Sequence, residues 1–157
     1  MMAYPGQQFD ELTKRLVFPS EHQNPTPKSR YHLVVVGAGP AGLIASISAA
    51  GLGARVALIE SRFMGGDCLN VGCVPSKALL ESTKSETCSF DEAFEWLREV
   101  RSTISEHDSV ERYSQAGVDV FLGEANFNES GELMVEGQVL RTRRIALCVG
   151  AGSMMPP

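Results

Sequence analysis

Hydrophobic and polar positions along this chain follow two rhythms, one of strands and one of helices. Leu33-Val34-Val35-Val36 is an unbroken apolar run, the pattern of a strand covered on both faces. A glycine-rich turn follows, and then a helix of small and apolar residues from Leu43 to Ala50, ended by Gly51-Leu52-Gly53. A second strand runs from Arg55 to Glu60 and closes on a carboxylate. Helical spacing returns over Ser89 to Ser105, where Phe90, Phe94, Leu97, Arg101 and Ile104 recur every three or four positions. Trp96 and Val100 widen that stripe, which predicts core packing. A shorter helix is expected over Asp108 to Ala116, capped by Asp108 or Ser109 and closed by Gly117. Short strands fill the rest: Val118–Leu122, Ala125–Phe127, Glu132–Glu136 and Gln138–Leu140 alternate with turn residues, the signature of a β-meander. Arg143 to Val149 then returns as an apolar strand into the parallel sheet, with Cys148 as a small buried residue.

The first 30 residues are punctuated by Pro5, Gly6, Pro19, Pro25 and Pro27. Within them only Phe9 to Phe18 has an amphipathic pattern, with Phe9, Leu12 and Leu16 on one face. The expectation is an arm lying on the domain surface or partly disordered. His22 and His32 have no partners at ligand spacing and read as ordinary residues; His107, flanked by Glu106 and Asp108 in a linker between helices, reads as a solvated turn, and Cys88 as structural.

The turn itself carries chemistry. Gly37-Ala38-Gly39-Pro40-Ala41-Gly42 is a G-x-G-x-x-G between a strand and a helix. Gly37 permits the tight turn, Gly39 lets a pyrophosphate approach the backbone, and Gly42 lets helix and strand pack closely. The helix N-terminus then faces the phosphates. Glu60 follows the turn at about 20 residues, where an acid can accept hydrogen bonds from ribose hydroxyls. In that frame a dinucleotide is expected; the fingerprint alone serves NAD and FAD equally.

Farther on, Gly65 to Leu80 reads GGDCLNVGCVPSKALL, with Cys68 and Cys73 five positions apart. Pro75 suits a first helical turn, and Ser76 to Leu80 continue with good helix formers. Cysteines at a helix N-terminus are favoured as thiolates, the form that attacks disulfides or binds soft metals. Taken alone, the spacing fits a redox pair, a metal-binding pair or two unrelated small buried residues. Its nearness to the dinucleotide turn favours a redox pair, and a dithiol beside a dinucleotide favours FAD.

Composition narrows the classes further. The chain has 157 residues, 43% hydrophobic and 21% charged, enough for one domain with a core. A net charge of −5 argues against nucleic acid as a partner, and Arg141-Thr142-Arg143-Arg144 reads as the solvated start of a strand. There is no apolar run long enough to span a bilayer and no signal-like segment. With four cysteines, this pattern points to a reducing cytoplasmic compartment, where a close cysteine pair is catalytic or metal-binding rather than a staple.

VVVGAGPAGLIASISAAGLGARVALIE and MGGDCLNVGCVPSKALL resemble the pyridine nucleotide-disulfide oxidoreductases of the mercuric reductase and dihydrolipoamide dehydrogenase type, from about Tyr31 to the end of the chain. The resemblance implies a Rossmann-like, FAD-binding, three-layer α/β fold, a parallel sheet with helices plus a small antiparallel β-meander, here incomplete. It divides the chain into an arm, 1–30, and the amino-terminal portion of the flavin domain, 31–157. It makes Cys68 the interchange thiol facing substrate and Cys73 the flavin-proximal, charge-transfer sulfur. Lys77 would polarise the flavin near N5; read from its surroundings alone, Lys77 is a solvated helix residue. The implied cofactor positions are Gly37, Gly39, Pro40, Ala41, Gly42, Glu60, Ser61, Arg62, Gly66, Asp67, Cys68, Cys73, Lys77, Ala125 and Gly150, with no resident metal. NAD(P)H would be the co-substrate, and a disulfide, thiol or soft metal such as Hg(II) the acceptor. A homodimer is implied for a full-length relative.

Two departures qualify that picture. Val149 stands where the family carries a threonine, so a hydroxyl contact to the cofactor is lost. The nicotinamide-binding domain, the interface domain and the last strand of the flavin sheet do not follow, which should leave the Arg143–Val149 strand with an unpaired edge. The expectation is therefore an amino-terminal segment that does not by itself turn over a nicotinamide-dependent reaction. The alternative is a non-catalytic truncated fragment, at most a weak nucleotide or thiol-metal binder.

Overall fold

The computed structural model describes residues 6–84 and 87–152; Pro5 and residues 153–157 of the expected domain lie outside them. Four strands form a parallel sheet in the order β3-β2-β1-β7: β1 is Leu33–Val36, β2 Val56–Glu60, β3 Val118–Leu122 and β7 Ile145–Leu147. A separate antiparallel sheet joins β4 (Ala125–Phe127), β5 (Leu133–Val135) and β6 (Gln138–Val139). The α/β architecture with a small antiparallel sheet is as expected, but Val118–Leu122, grouped with the meander by its sequence, pairs parallel with β2 and belongs to the main sheet.

Alternation along the strands sorts side chains to the two faces of the parallel sheet. Val35, Leu58 and Val120 point to one face, where Leu43 of α2 (Pro40–Gly51) and Tyr113 of α6 (Val110–Gln115) meet them. Val34, Ala57, Ile59 and Phe121 point to the other, against Tyr31 and Leu133, Val135 and Leu140 of the meander. The central strands are thus covered on both sides, which is why their sequences are continuously apolar. β7 lies at the edge, with Leu147 66% exposed and Cys148 half-buried rather than buried. Among the described residues no helix is long and apolar enough to cross a membrane.

The arm packs more tightly than its sequence indicates. Helix α1 (Gln7–Val17) lies along α5 (Phe90–Ser105), and its buried face runs through Thr13 and Val17. Leu12, assigned to the buried face by its spacing, remains 43% exposed. Between His22 and Lys28 the chain reaches the free edge of β3, before Tyr31 pairs with Thr142 beside β7. His22 Nε2 donates to the Val120 carbonyl at 3.0 Å, and the Asn24 amide both donates to the Leu122 carbonyl and accepts from its N–H. His32 accepts from the Arg55 N–H at 2.8 Å.

Two further readings are corrected. The aromatic stripe of α5 is not core: Phe90 is 73% exposed and stacks on Phe94 instead. The buried line passes through Leu97, Ser102 and Ser105, because α1 and α4 (Cys73–Ser82), not a sheet, cover this helix. The cysteine stretch likewise forms two helices rather than one. The short α3 (Gly66–Asn70) ends where the Val71 and Gly72 N–H groups both donate to the Asp67 carbonyl, and α4 starts at Cys73. Of the two candidate caps for α6, Ser109 is the one used, its Oγ accepting from the Arg112 N–H.

Candidate functional site

The glycine turn is held in shape by packing. Gly37 has φ 99°, the left-handed region that glycine enters without strain. A Cβ at Gly42 would collide with the Gly37 carbonyl oxygen, so helix α2 can lie this close to β1 only with glycine there. No side chain caps α2 at Gly39, which leaves its first N–H groups to a ligand or to water. The turn also touches the cysteine segment: a Cβ at Gly66 would stand 2.7 Å from the Gly39 Cα.

Glu60 closes the turn from the end of β2. Its Oε2 accepts from the Ala38 N–H at 2.7 Å and its Oε1 from the Arg62 N–H at 2.8 Å. A carboxylate offers about four lone-pair sites, so acceptor capacity for hydroxyls remains.

A cleft of about 930 Å³ opens over these groups. Of the residues singled out in the sequence, Gly37, Gly39, Pro40, Ala41, Glu60, Ser61, Arg62, Gly66, Asp67, Cys68, Ala125 and Gly150 line it. Gly42 is buried behind the turn, where its packing role puts it. Cys73 and Lys77 are exposed on α4 and are not part of the cleft wall. The sequence reading missed Asn70 and Val71, which also line the cleft, and Val149 lines it without a hydroxyl. No local sequence signal marks Asn70; its side chain matters because it folds back to donate to the Met64 and Gly66 carbonyls.

Both cysteines are free thiols. The thiol of Cys68 is pushed above its ordinary range, first by its hydrogen bond with Cys73, then by burial and by repulsion from Cys73 and Asp108, with Lys77 opposing. The helix terminus does not decide the state of Cys68: Cys68 stands in the first turn of the short α3, and the hydrogen bond with Cys73 outweighs the terminus. Asp108 is half-buried, and burial raises its carboxyl despite the nearby His107 and Arg112. Among the described residues no group of three or more His, Cys, Asp or Glu side chains could hold a metal ion.

The unpaired N–H groups of α2, the glycine cradle and the spare acceptor sites of Glu60 fit the diphosphate and ribose of a dinucleotide. The chain is 32% identical over 147 residues to dihydrolipoyl dehydrogenase of Acholeplasma laidlawii, covering 81% of this chain and 43% of that protein. It is 30% identical over 145 residues to mercuric reductase of Lysinibacillus sphaericus, covering 82% of this chain and 27% of that one. Among solved structures, the HOCl-induced flavoprotein disulfide reductase RclA from Escherichia coli superposes with a TM-score of 0.72 at 31% identity, covering 81% of this chain and 30% of that chain. The chain thus spans less than half the length of these relatives. A family described as pyridine nucleotide-disulphide oxidoreductase matches residues 31–157, and the chain belongs to that family.

Proposed function

We propose that this chain is the FAD-binding, dithiol-bearing segment of a flavoprotein disulfide oxidoreductase. In the complete protein, reducing equivalents from NAD(P)H would reach the Cys68–Cys73 disulfide and then a disulfide or soft-metal acceptor of the mercuric type. The observation that carries this reading is the cleft in which the glycine turn, Glu60 and Cys68 share one wall. Bound FAD supplies the two-electron carrier. The chain's own residues do the rest: the glycine turn and the Ala41 N–H of α2 receive the diphosphate, and Glu60 accepts from the ribose. Ser61, Arg62, Gly66, Asp67, Ala125 and Gly150 line the remainder, and Lys77 supplies positive charge near the thiols. A cytoplasmic location suits a dithiol that must be re-reduced, and a homodimer is proposed for the complete protein.

Colour is the first test. The purified chain should hold stoichiometric yellow flavin, and a long-wavelength absorption band should appear on dithionite reduction. By the resemblance, Cys73→Ser abolishes that band and Cys68→Ser does not. A colourless protein whose thiols titrate like free cysteine would overturn the proposal and leave the non-catalytic reading.

A further inference from the structure

Helix α1 precedes the family match, which begins at residue 31, yet it grips the segment that carries Cys68 at both ends. At one end the Met64 N–H donates to the Val17 carbonyl at 3.2 Å, and the rings of Phe18 and Phe63 meet edge to face at 5.7 Å. At the other end stands Arg101 of α5. Its guanidinium donates through Nη2 to the Asp10 carboxylate of α1 and through Nη1 to the Asn70 carbonyl at 3.3 Å. Asn70 ends α3, between the two cysteines, and its side chain ties the same turn to Gly66 at 2.8 Å.

Arg98, one turn earlier on α5, also donates to Asp10, at 3.0 Å, but its Nη1 donates to the Phe94 carbonyl of its own helix. Asp10 thus holds two arginines, and Arg101 carries the connection to the cysteine turn. The contact is chemically apt. A cation at the C-terminal carbonyls of a helix is favourable, and the Arg101 guanidinium spans two acceptors on different elements, Asp10 and Asn70.

We propose that α1 is a positioning element for the Cys68–Cys73 pair, acting through Asp10 and Arg101 on the Asn70 carbonyl. Fixing the turn between two thiols raises the effective concentration of each for the other, and so stabilises their disulfide relative to the dithiol. Arg101 touches neither thiol, so it is a positioning residue. The proposal rests on the redox reading above.

The test is equilibration of the purified chain with mixtures of reduced and oxidised dithiothreitol, followed by thiol counting. In that exchange two electrons and two protons pass from the dithiothreitol dithiol to the Cys68–Cys73 disulfide, or back. Arg101→Met should favour the dithiol by roughly tenfold, about 30 mV for this two-electron couple. Asp10→Asn should shift the equilibrium the same way by less, and Arg101→Lys should recover part of the loss. Arg98→Met, which also removes an ion pair between α1 and α5, should leave the equilibrium unchanged. Circular dichroism identifies a variant that fails to fold; if Arg101→Met does, Asp10→Asn decides. An equilibrium identical to wild type in folded Arg101→Met or Asp10→Asn overturns the proposal. An equal shift in Arg98→Met also overturns it, by reducing the effect to generic helix docking. If the wild-type chain forms no Cys68–Cys73 disulfide at any ratio, the redox reading falls and the clamp falls with it.

Discussion

Cys68 and Cys73 differ in ways that chemistry can read residue by residue. Cys73 is exposed at the start of α4, whereas Cys68 is half-buried and hydrogen-bonded with its neighbour. The thiolate is the nucleophile, and its fraction falls as a thiol's pKa is raised. Iodoacetamide at neutral pH should therefore modify Cys73 before Cys68, as peptide mass mapping would register. Because the hydrogen bond with Cys73 is the largest of the influences raising Cys68, Cys73→Ala should move the alkylation of Cys68 to lower pH, with Lys77 still favouring the thiolate. Alkylation of Cys68 first in the wild-type chain would contradict this assignment. The spacing of the pair was plain in the sequence, and the resemblance implied different roles for the two sulfurs; the raised thiol of Cys68 was not legible, because Asp108 and the depth of α3 come from folding. Glu60 was legible for the opposite reason, since strand, turn and helix place it by local geometry alone.

At the scale of elements, a helix was legible wherever its neighbours were a sheet. α2 follows from its glycine turn and small residues, and the two central strands follow from double burial. α5 was placed correctly but its buried face was not, since the partners that choose the face, α1 and α4, lie elsewhere in the chain. Arg101 fell within the apolar stripe by spacing, and only the docking of α1 reveals it as an ion-pair residue. The start of α5 is nonetheless local chemistry. Ser89 Oγ accepts from the Glu92 N–H, and the Glu92 carboxylate accepts from the Ser89 N–H at 2.8 Å and from its hydroxyl at 2.7 Å, a complete capping box. Ser89→Ala should cost about 1 kcal/mol at neutral pH, measured by urea unfolding. These bonds hold the Glu92 carboxyl below its ordinary 4.5. Their contribution is thus present above that value and is lost as pH falls through the lower folded one. The gap between wild type and Ser89→Ala should narrow in acid; a gap independent of pH would show that the carboxylate takes no part.

For the whole molecule, the parallel sheet has two edges and the chain treats them differently. The β7 edge carries exposed apolar residues, Ile145 at 37% and Leu147 at 66%, whereas the β3 edge is covered by the arm. Nothing in the local pattern announces that cover, because His22 and Asn24 meet Val120 and Leu122 across 98 positions of sequence. Proline-punctuated polar sequence looks like loose chain until a strand supplies the partners. Asn24 satisfies both backbone groups of Leu122, donating at 2.9 Å and accepting at 2.7 Å, as a neighbouring strand would. Lys28 and the Tyr31 hydroxyl both donate to Asp119 of the same strand, at 2.9 Å and 2.7 Å. Removing the Asn24 amide leaves a half-buried N–H and C=O without their partner, a loss on the order of 1–3 kcal/mol. Asn24→Ala should lower the urea midpoint accordingly and speed hydrogen exchange at the Leu122 amide, while the β1 and β2 amides keep their relative protection. Equal acceleration across all the strands would instead mean that the arm contributes only to global stability and does not seal this edge.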